Sequence, residues 1–339
     1  MKSVKWMYFY IHFVTEVCCF YMLSQIFGDT LSLWLLPLMY DFLAFVPQRI
    51  IGVYSDKHPK FSPALVGVVL MIIGILTFGL LQGPWVGVAL TAIGNAFIHV
   101  NGAKVTMGTC QGKMTPAAVF VAGGSFGVFT GKLLAFSLKS PYLLLVAVLS
   151  MVPYILLCEK IYDTEKKCVF SFHDERRNEF VVLALMVFVV AVRSFIGYAI
   201  PTSWNKTTFQ MVLLYTFMGL GKALGGVLID HIGMRKTIYI SVMVAVPFLI
   251  FGDKIMILSL IGVMFFSMTM PITLGIIASV YKNRNGAAFG LTTIGLFLGV
   301  VPIFLTKFND YFFSCILILI SSFLVFFALL YSAKKVGSE

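Results

Sequence analysis

The chain has 339 residues, 60% of them hydrophobic and only 12% charged, with a mean hydropathy of +0.97. A soluble domain is nearer a quarter charged, and no water-soluble core absorbs this much apolar surface, so the class is a polytopic membrane protein. Phe alone occurs 33 times, which suits lipid contact, and the net charge of +11 has to be explained within that class.

Cutting the apolar runs at their polar and Pro/Gly breaks predicts twelve spans, near 6–27, 31–53, 62–82, 85–108, 115–138, 141–158, 180–203, 208–230, 236–252, 255–280, 286–306 and 311–332. Each is about the twenty residues a helix needs to cross the hydrocarbon. Helices are the expected form, because backbone groups in lipid must pair within their own segment. The first span is long enough to cross and lacks a small-residue cleavage site, so it is expected to remain as an anchor. It carries His12 and Glu16, four apart and therefore on one face. The second span holds Asp41 and Arg49 and ends in GVYSDKHPK from Gly52.

The fourth span contains GNAFIHVNGAK, a polar insertion in an otherwise apolar run. Asn95, His99, Gly102 and Thr106 fall on one helical face, with Asn101 and Lys104 directed elsewhere. The fifth span has Gly123, Gly127 and Gly131 at intervals of four, a spacing that lets helices approach backbone to backbone. Its Gly123-Gly124-Ser125-Phe126-Gly127 matches the serine-hydrolase elbow by letter only, because that motif needs a strand-to-helix turn. Lys132, two turns on, lies too far along the axis to activate Ser125.

A charged break, EKIYDTEKKCVFSFHDERRNEF, then divides the spans six and six. We expect a first half over 1–158, a central loop over 159–179 and a second half over 180–339. Arg193 lies deep in the seventh span and Lys222 in the eighth, which closes with GVLIDHIGMRK from Gly226. GLGKALGG within that span lacks the spacing of a phosphate loop. The cysteines, Cys18, Cys19, Cys110, Cys158, Cys168 and Cys315, are scattered without a CxxC pair, so neither a disulfide nor a metal site is expected. The sequon at Asn205-Lys206-Thr207 sits in a very short loop and is read as chance.

Lys and Arg fix the expected orientation. With the N-terminus inside, the inner segments hold Lys2, Lys5, Lys57, Lys60, Lys113, Lys160, Lys166, Lys167, Arg176, Arg177, Arg235, Lys236, Lys282, Arg284, Lys334 and Lys335. The outer loops hold only Lys139, Lys206, Lys254 and Lys307. Both termini are therefore expected in the cytoplasm. The positive charge is a topology signal, and no nucleic-acid partner is expected.

The ends of the second and eighth spans share Gly-x-x-x-Asp followed by a basic turn, a repeat in parallel halves of the kind found in secondary transporters. Both stretches resemble the signature loop of the major facilitator superfamily. The second copy has Gly226, Asp230, Gly233, Arg235 and Lys236; the first has Gly52 and Asp56, with Lys57 for Arg, Pro59 for Gly, and Lys60. The resemblance implies a twelve-helix, all-α fold in two six-helix halves, with each motif aspartate facing a helix start in the other half. For Asp56 that start is near Gly286, and for Asp230 it is Thr115-Pro116, read as an N-cap and first-turn pair. Such contacts would latch the cytoplasmic gate; alternatively the aspartates only cap loops. Within the superfamily the fourth span is similar to the fosmidomycin-resistance branch, keeping His99 but with Asn101 and Lys104 where that branch has Glu and Arg. The fifth span is similar in part to the antiporter motif, with Lys132 where a proline is expected.

An ionised side chain at a helix centre costs roughly 2.5–3.5 kcal/mol. Arg49 and Lys104 lie near inner helix ends, where they are expected to snorkel. Glu16 and Asp41 are the deep acids, and both are in the first half. A carboxylate withdrawn from water in a helix bundle can bind and release protons near neutrality, so these two are the candidates for proton coupling. The second half offers Arg193 and Lys222 but no deep acid. Asn95, His99, Lys132, Arg193 and Lys222 are accordingly the candidate substrate-binding residues, for a small organic anion or zwitterion met by the planar fork of Arg193. Alternatively, Glu16 or Asp41 pairs structurally with Arg193 or Lys132.

The expected function is secondary active transport by alternating access, driven by the proton gradient without a cofactor. Efflux is favoured, with uptake by symport as the alternative. An integral-membrane enzyme or a transporter-derived sensor is less well supported, since no catalytic cluster and no long soluble insertion appear in the sequence. The expected setting is a bacterial inner membrane, with the lipid bilayer and a small-molecule substrate as partners and a monomeric chain.

Overall fold

A run of about twenty apolar residues can pair its backbone only with itself, and the computed structural model is helical along nearly all of them. It describes residues 2–26, 34–80, 83–138, 140–164, 179–200, 203–204, 206–304 and 311–337. In chain order the helices are α1 (Lys2–Ile26), α2 (Leu35–Phe45), α3 (Gln48–Lys57), α4 (Pro63–Leu80), α5 (Pro84–Gly108), α6 (Thr115–Ser137), α7 (Leu143–Thr164), α8 (Glu179–Ala199), α9 (Thr208–Ile232), α10 (Met234–Phe251), α11 (Met256–Ser267), α12 (Thr269–Val280), α13 (Asn285–Val300) and α14 (Tyr311–Lys335). A short 3-10 turn, Val301–Phe304, extends α13. No strand occurs among the described residues.

Each of the twelve expected spans corresponds to one helix or to a broken pair. The second span is α2 plus α3, interrupted at Val46-Pro47. The tenth is α11 plus α12, interrupted at Met268. Both breaks have a proline cause. Pro47 has no N–H to give to the helix ladder, and the ring of Pro271 crowds the carbonyl four residues back, at Ser267, where α11 stops. Among the described residues, eleven spans are long and apolar enough to cross a membrane, and Pro63–Gly79 is a shorter apolar helix. The chain is a multi-pass membrane protein. One boundary differs from expectation. α7 continues to Thr164, six residues into the segment assigned to the central loop, and residues 165–178 lie outside those described. The expectations for Lys139, Lys166, Lys167, Cys168, Arg176, Arg177, Asn205 and Lys307 also fall outside the described residues.

Packing follows residue size. A methyl group on Gly123, Gly127 or Gly131 of α6 would strike the backbone oxygen of Phe9, Phe13 or Val17 on α1. Both series advance by four residues, so the two helices lie backbone to backbone along a shared stripe. Close packing accounts for the glycines. Bulky side chains meanwhile cover the outside: Phe136, Phe180 and Phe312 are exposed, as a lipid-facing surface requires. Cys18, Cys19, Cys110, Cys158 and Cys315 are buried free thiols.

The two most extensive contacts between the half made of α1–α7 and the half made of α8–α14 are α3 against α13 and α6 against α9; α13 also touches α2 and α5. The first two are the same contact by the internal repeat, second span to eleventh and eighth span to fifth.

Gly127→Leu should wedge α1 from α6. Overpacking of this kind typically costs about 1–3 kcal/mol, so the purified variant should unfold at a clearly lower temperature. Val146→Leu, at an exposed position, should leave the melting temperature unchanged. Equal melting of the two variants would contradict the backbone contact.

Candidate functional site

The motif glycines explain how the halves meet. Gly52 of α3 lies against the backbone of Gly286, leaving no room for a Cβ, and Gly226 of α9 lies against Ala118 and Thr115 of α6. One turn further along each helix comes the motif aspartate. Asp56 accepts hydrogen bonds from the backbone N–H of Gly286 at 3.1 Å and of Ala287 at 2.8 Å. Asp230 accepts from the N–H of Met114 at 2.6 Å and of Thr115 at 2.9 Å, and from the Thr115 hydroxyl at 2.5 Å. Each carboxylate thus satisfies the orphan donors of a helix start in the opposite half and meets the positive end of its dipole. Thr115 was expected to be the N-cap of α6. It is instead a donor inside the first turn, because Asp230 supplies the capping oxygens from the other half.

Arg49 and Lys104 also depart from expectation. Arg49 does not simply snorkel: it donates to the Ala287 carbonyl at 2.8 Å and to the Tyr281 hydroxyl at 2.9 Å, with its guanidinium 4.8 Å from the Tyr281 ring centroid. It therefore grips the same helix start as Asp56, seven residues away on the same face of the helix. Lys104 is buried and donates to the carbonyl and hydroxyl oxygens of Ser55 at 3.0 and 2.9 Å. The reason is the same in both cases: carbonyl and hydroxyl oxygens lie nearer than bulk water. Lys57, Lys60 and Lys236 are exposed, with Arg235 and Gly233 partly buried beside them. Gly233 ends α9 at φ +88°, in the left-handed region that favours glycine.

Deeper in the first half, α1, α2 and α5 bring a polar cluster together. The Nε2 atoms of His12 and His99 are 2.6 Å apart. Glu16 Oε1 lies 3.6 Å from His12 Nε2 and 3.5 Å from His99 Nε2. Asn95 donates from Nδ2 to Glu16 Oε1 at 3.1 Å and contacts the Tyr40 hydroxyl at 2.7 Å. All of these side chains are buried. Gly124 of α6 makes room, since a Cβ there would run into the His12 ring. Phe120 packs on His12 with ring centroids 4.9 Å apart, and Phe289 of α13 stacks over His99 at 6.2 Å.

The remaining candidates are distributed around this cluster. Lys222 of α9 donates to the Ser125 hydroxyl of α6 at 2.9 Å and lies within electrostatic reach of both Glu16 and Arg193. The hydrolase-like serine therefore has a lysine partner, but one from the other half of the molecule, and it stands in the middle of a helix. Lys132 donates to the Tyr215 hydroxyl at 3.0 Å. Arg193 lies in a pocket inside the second half, lined by Ser241, Phe266, Thr269 and Ser322, and its Nη1 is buried with no hydrogen-bond partner. Asp41 is within electrostatic reach of Glu16 but is not one of the groups bonded to it. In the sequence only the i, i+4 spacing of His12 and Glu16 signals any of this; nothing local to Tyr40, Phe289 or Tyr281 marks them.

No family model matches the chain. It is similar to the fosmidomycin resistance protein of Escherichia coli (strain K12), 22% identical over 248 residues, which are 64% of this chain and 61% of that protein. The match thus spans less than two thirds of the relative's length. Among solved structures it is similar to a variant of the E. coli fucose:proton symporter FucP, with a TM-score of 0.68, 14% identity, and coverage of 97% of this chain and 98% of that one. A bacterial homologue of the iron transporter ferroportin, in its outward-facing state, gives a TM-score of 0.63 at 11% identity, covering 98% and 99% of the two chains. These likenesses show the fold.

Asp230→Asn keeps the shape of the cap but removes its charge from the start of α6. The contact should weaken by about 1 kcal/mol. A cysteine placed at Ala118, in a protein lacking the native cysteines, should then be alkylated several-fold faster, with expression unchanged. An unchanged alkylation rate would exclude a cross-half latch.

Proposed function

We propose that this chain, which has the fold of the major facilitator superfamily transporters, is a proton-coupled secondary transporter for a small organic anion or zwitterion. The observation that carries this reading is the position of Lys222. It ties the second half to Ser125 of the first, with Glu16 and Arg193 both within electrostatic reach. Charges of both signs beside a contact between two halves, here Glu16 and Lys222, are elements of a site to which access alternates.

In this reading Asp56, Asp230 and Arg49 close one end, and the basic segments place that end and both termini in the cytoplasm. The backbone donors freed from Asp56 and Asp230 then meet water when that end opens. Arg193 and Lys222 supply positive charge for the substrate, with Lys132 and the Asn95/His99 face completing the route. Of the two deep acids, Glu16 is engaged by Asn95 and the histidines, which leaves Asp41 as the carboxylate we assign to the driving proton. Glu16 is the charged group that faces it. Efflux across a bacterial inner membrane by a monomer is the favoured direction and setting, supported by the similarity to a resistance protein. Uptake by symport is the second reading, supported by the fold shared with a fucose:proton symporter. No enzymatic role is proposed, since Ser125 lacks the strand-to-helix elbow of a hydrolase.

The test is reconstitution in liposomes, with substrates first found by ligand-induced rise in melting temperature. Proton flux should accompany transport. Asp41→Asn should abolish gradient-driven accumulation while substrate binding and exchange survive. Unimpaired accumulation by that variant would remove Asp41 from coupling.

Arg193 tests the substrate class separately. Arg193→Ala should lose about 2–5 kcal/mol of affinity for an anion and far less for a neutral analogue, and Arg193→Lys should fall between. Rescue of Arg193→Ala by neutralising Glu16 or Asp41 would identify a structural ion pair and reject the anion.

A further inference from the structure

Two hydrogen bonds determine what His12 and His99 can do. Nδ1 of His12 faces the Phe120 carbonyl oxygen at 2.8 Å, and Nδ1 of His99 faces the Asn95 carbonyl oxygen at 3.0 Å. A carbonyl oxygen only accepts, so each Nδ1 must carry a hydrogen. In the neutral ring that leaves a lone pair on each Nε2. The two Nε2 atoms are 2.6 Å apart with their ring centroids at 4.2 Å, so the two lone pairs crowd one another. Glu16 Oε1, the third electron-rich atom, is 3.5 and 3.6 Å from them. Three donors with no positive charge among them repel each other, and each residue is more than nine-tenths buried. The arrangement calls for a cation.

We propose that His12, Glu16 and His99 form a binding site for a divalent transition-metal ion of borderline softness, the class of Zn²⁺ or Co²⁺. Two imidazoles and one carboxylate are the donor set such ions select. The donor atoms already lie within 4.8 Å of one another. Metal–nitrogen bonds of about 2.0–2.1 Å in a tetrahedral site set donor atoms about 3.3 Å apart. The two separations to Glu16 are close to this. The two Nε2 atoms must part by roughly 0.7 Å to reach it, a small rotation of either ring.

The surroundings fit the same assignment. A ligating histidine characteristically donates its other ring N–H to a backbone carbonyl or a carboxylate, which fixes the tautomer and the ring plane. Both histidines do so here. Glu16 is held by Asn95, and Asn95 by Tyr40. Asn95 Oδ1 is buried with no hydrogen-bond partner, so a further oxygen stands near the three donors. A proton shared between the two Nε2 atoms is the competing occupant. It would satisfy those two atoms but leave Glu16 at distances too long for a good hydrogen bond, whereas a metal ion engages all three. Cysteine spacing, the basis for expecting no metal site, does not report on a cluster built from histidines.

The proposal concerns binding alone and stands whether or not the chain transports anything. Untagged full-length protein in detergent is titrated with Co²⁺ at pH 7.5, and the visible d–d bands are recorded. The expected result is one Co²⁺ per chain with the intense bands of a low-coordinate nitrogen/oxygen site, and its displacement by one Zn²⁺. His12→Ala, His99→Ala and Glu16→Gln should each weaken binding at least tenfold, and Asn95→Ala should weaken it less. Melting temperatures measured without metal identify any variant that fails to fold. For such a variant the milder His99→Gln and the wild-type Co²⁺ spectrum still decide. Absence of a stoichiometric ion, or equal binding by the His12→Ala/His99→Ala double variant, would overturn the site and leave the shared proton as the occupant. Because no gradient or substrate enters this measurement, its failure is separable from failure of the transport reading.

Discussion

A carboxylate that leaves water needs donors, and a helix that starts in a low-dielectric interior needs acceptors. This structure meets both needs with the same bonds. Asp56 and Asp230 each end a helix in one half and cap the first turn of a helix in the other. The contact is possible only because a glycine one turn earlier lets the two backbones touch. Glycine supplies the approach and aspartate the charge, which is a physical reason for the spacing Gly-x-x-x-Asp. The cap is also reversible. Its partners are backbone N–H groups whose bonds to the carboxylate water can replace, so breaking the contact would leave no donor unsatisfied.

The polar cluster obeys a different rule. Water is far away, so each group must be satisfied by the protein or by something it binds. Phe120 and Asn95 carbonyl oxygens orient the two histidines, Asn95 and Tyr40 orient the acid, and Phe289 stacks over His99 from the second half. Gly124 allows the His12 ring to enter. What is left over is electron density: two nitrogen lone pairs, one carboxylate oxygen and one amide oxygen. In the second half the imbalance is reversed, with Arg193 Nη1 buried and unpartnered. Each half is incomplete in the sense the other could compensate only through a ligand.

Sequence carries the fold well because spans depend on composition and length, which are local. The cross-half caps were legible too, since Gly52/Asp56 and Gly226/Asp230 repeat at the same place in each half. The site was only partly legible. The Asn95/His99 face follows from helical spacing, and Glu16 from its depth. The pairing of His12 with His99 joins residues 87 apart, Lys222 with Ser125 residues 97 apart, and Arg49 with Tyr281 residues 232 apart. Periodicity within one helix holds no information about such partners. The same limit explains Lys104. Its position near a helix end suggested water, but Ser55 on a neighbouring helix lies nearer.

The origin of the donors has a consequence for alternating access. His12 and Glu16 come from α1 and His99 from α5, all in the first half, and α1 is fastened to α6 by the glycine stripe. If the halves rock as rigid units, the donors stay assembled through the cycle. What would move relative to them is Phe289, which stacks over His99, and Lys222, whose positive charge disfavours a bare cation beside Glu16. In the transport reading proposed above, withdrawal of the second half would uncover His99 and remove the repelling charge in one motion. An anion bridging the cluster to Lys222 would have the opposite effect, neutralising that charge and favouring the closed arrangement. Cation and anion would then be coupled through the position of one lysine, with no rearrangement inside either half.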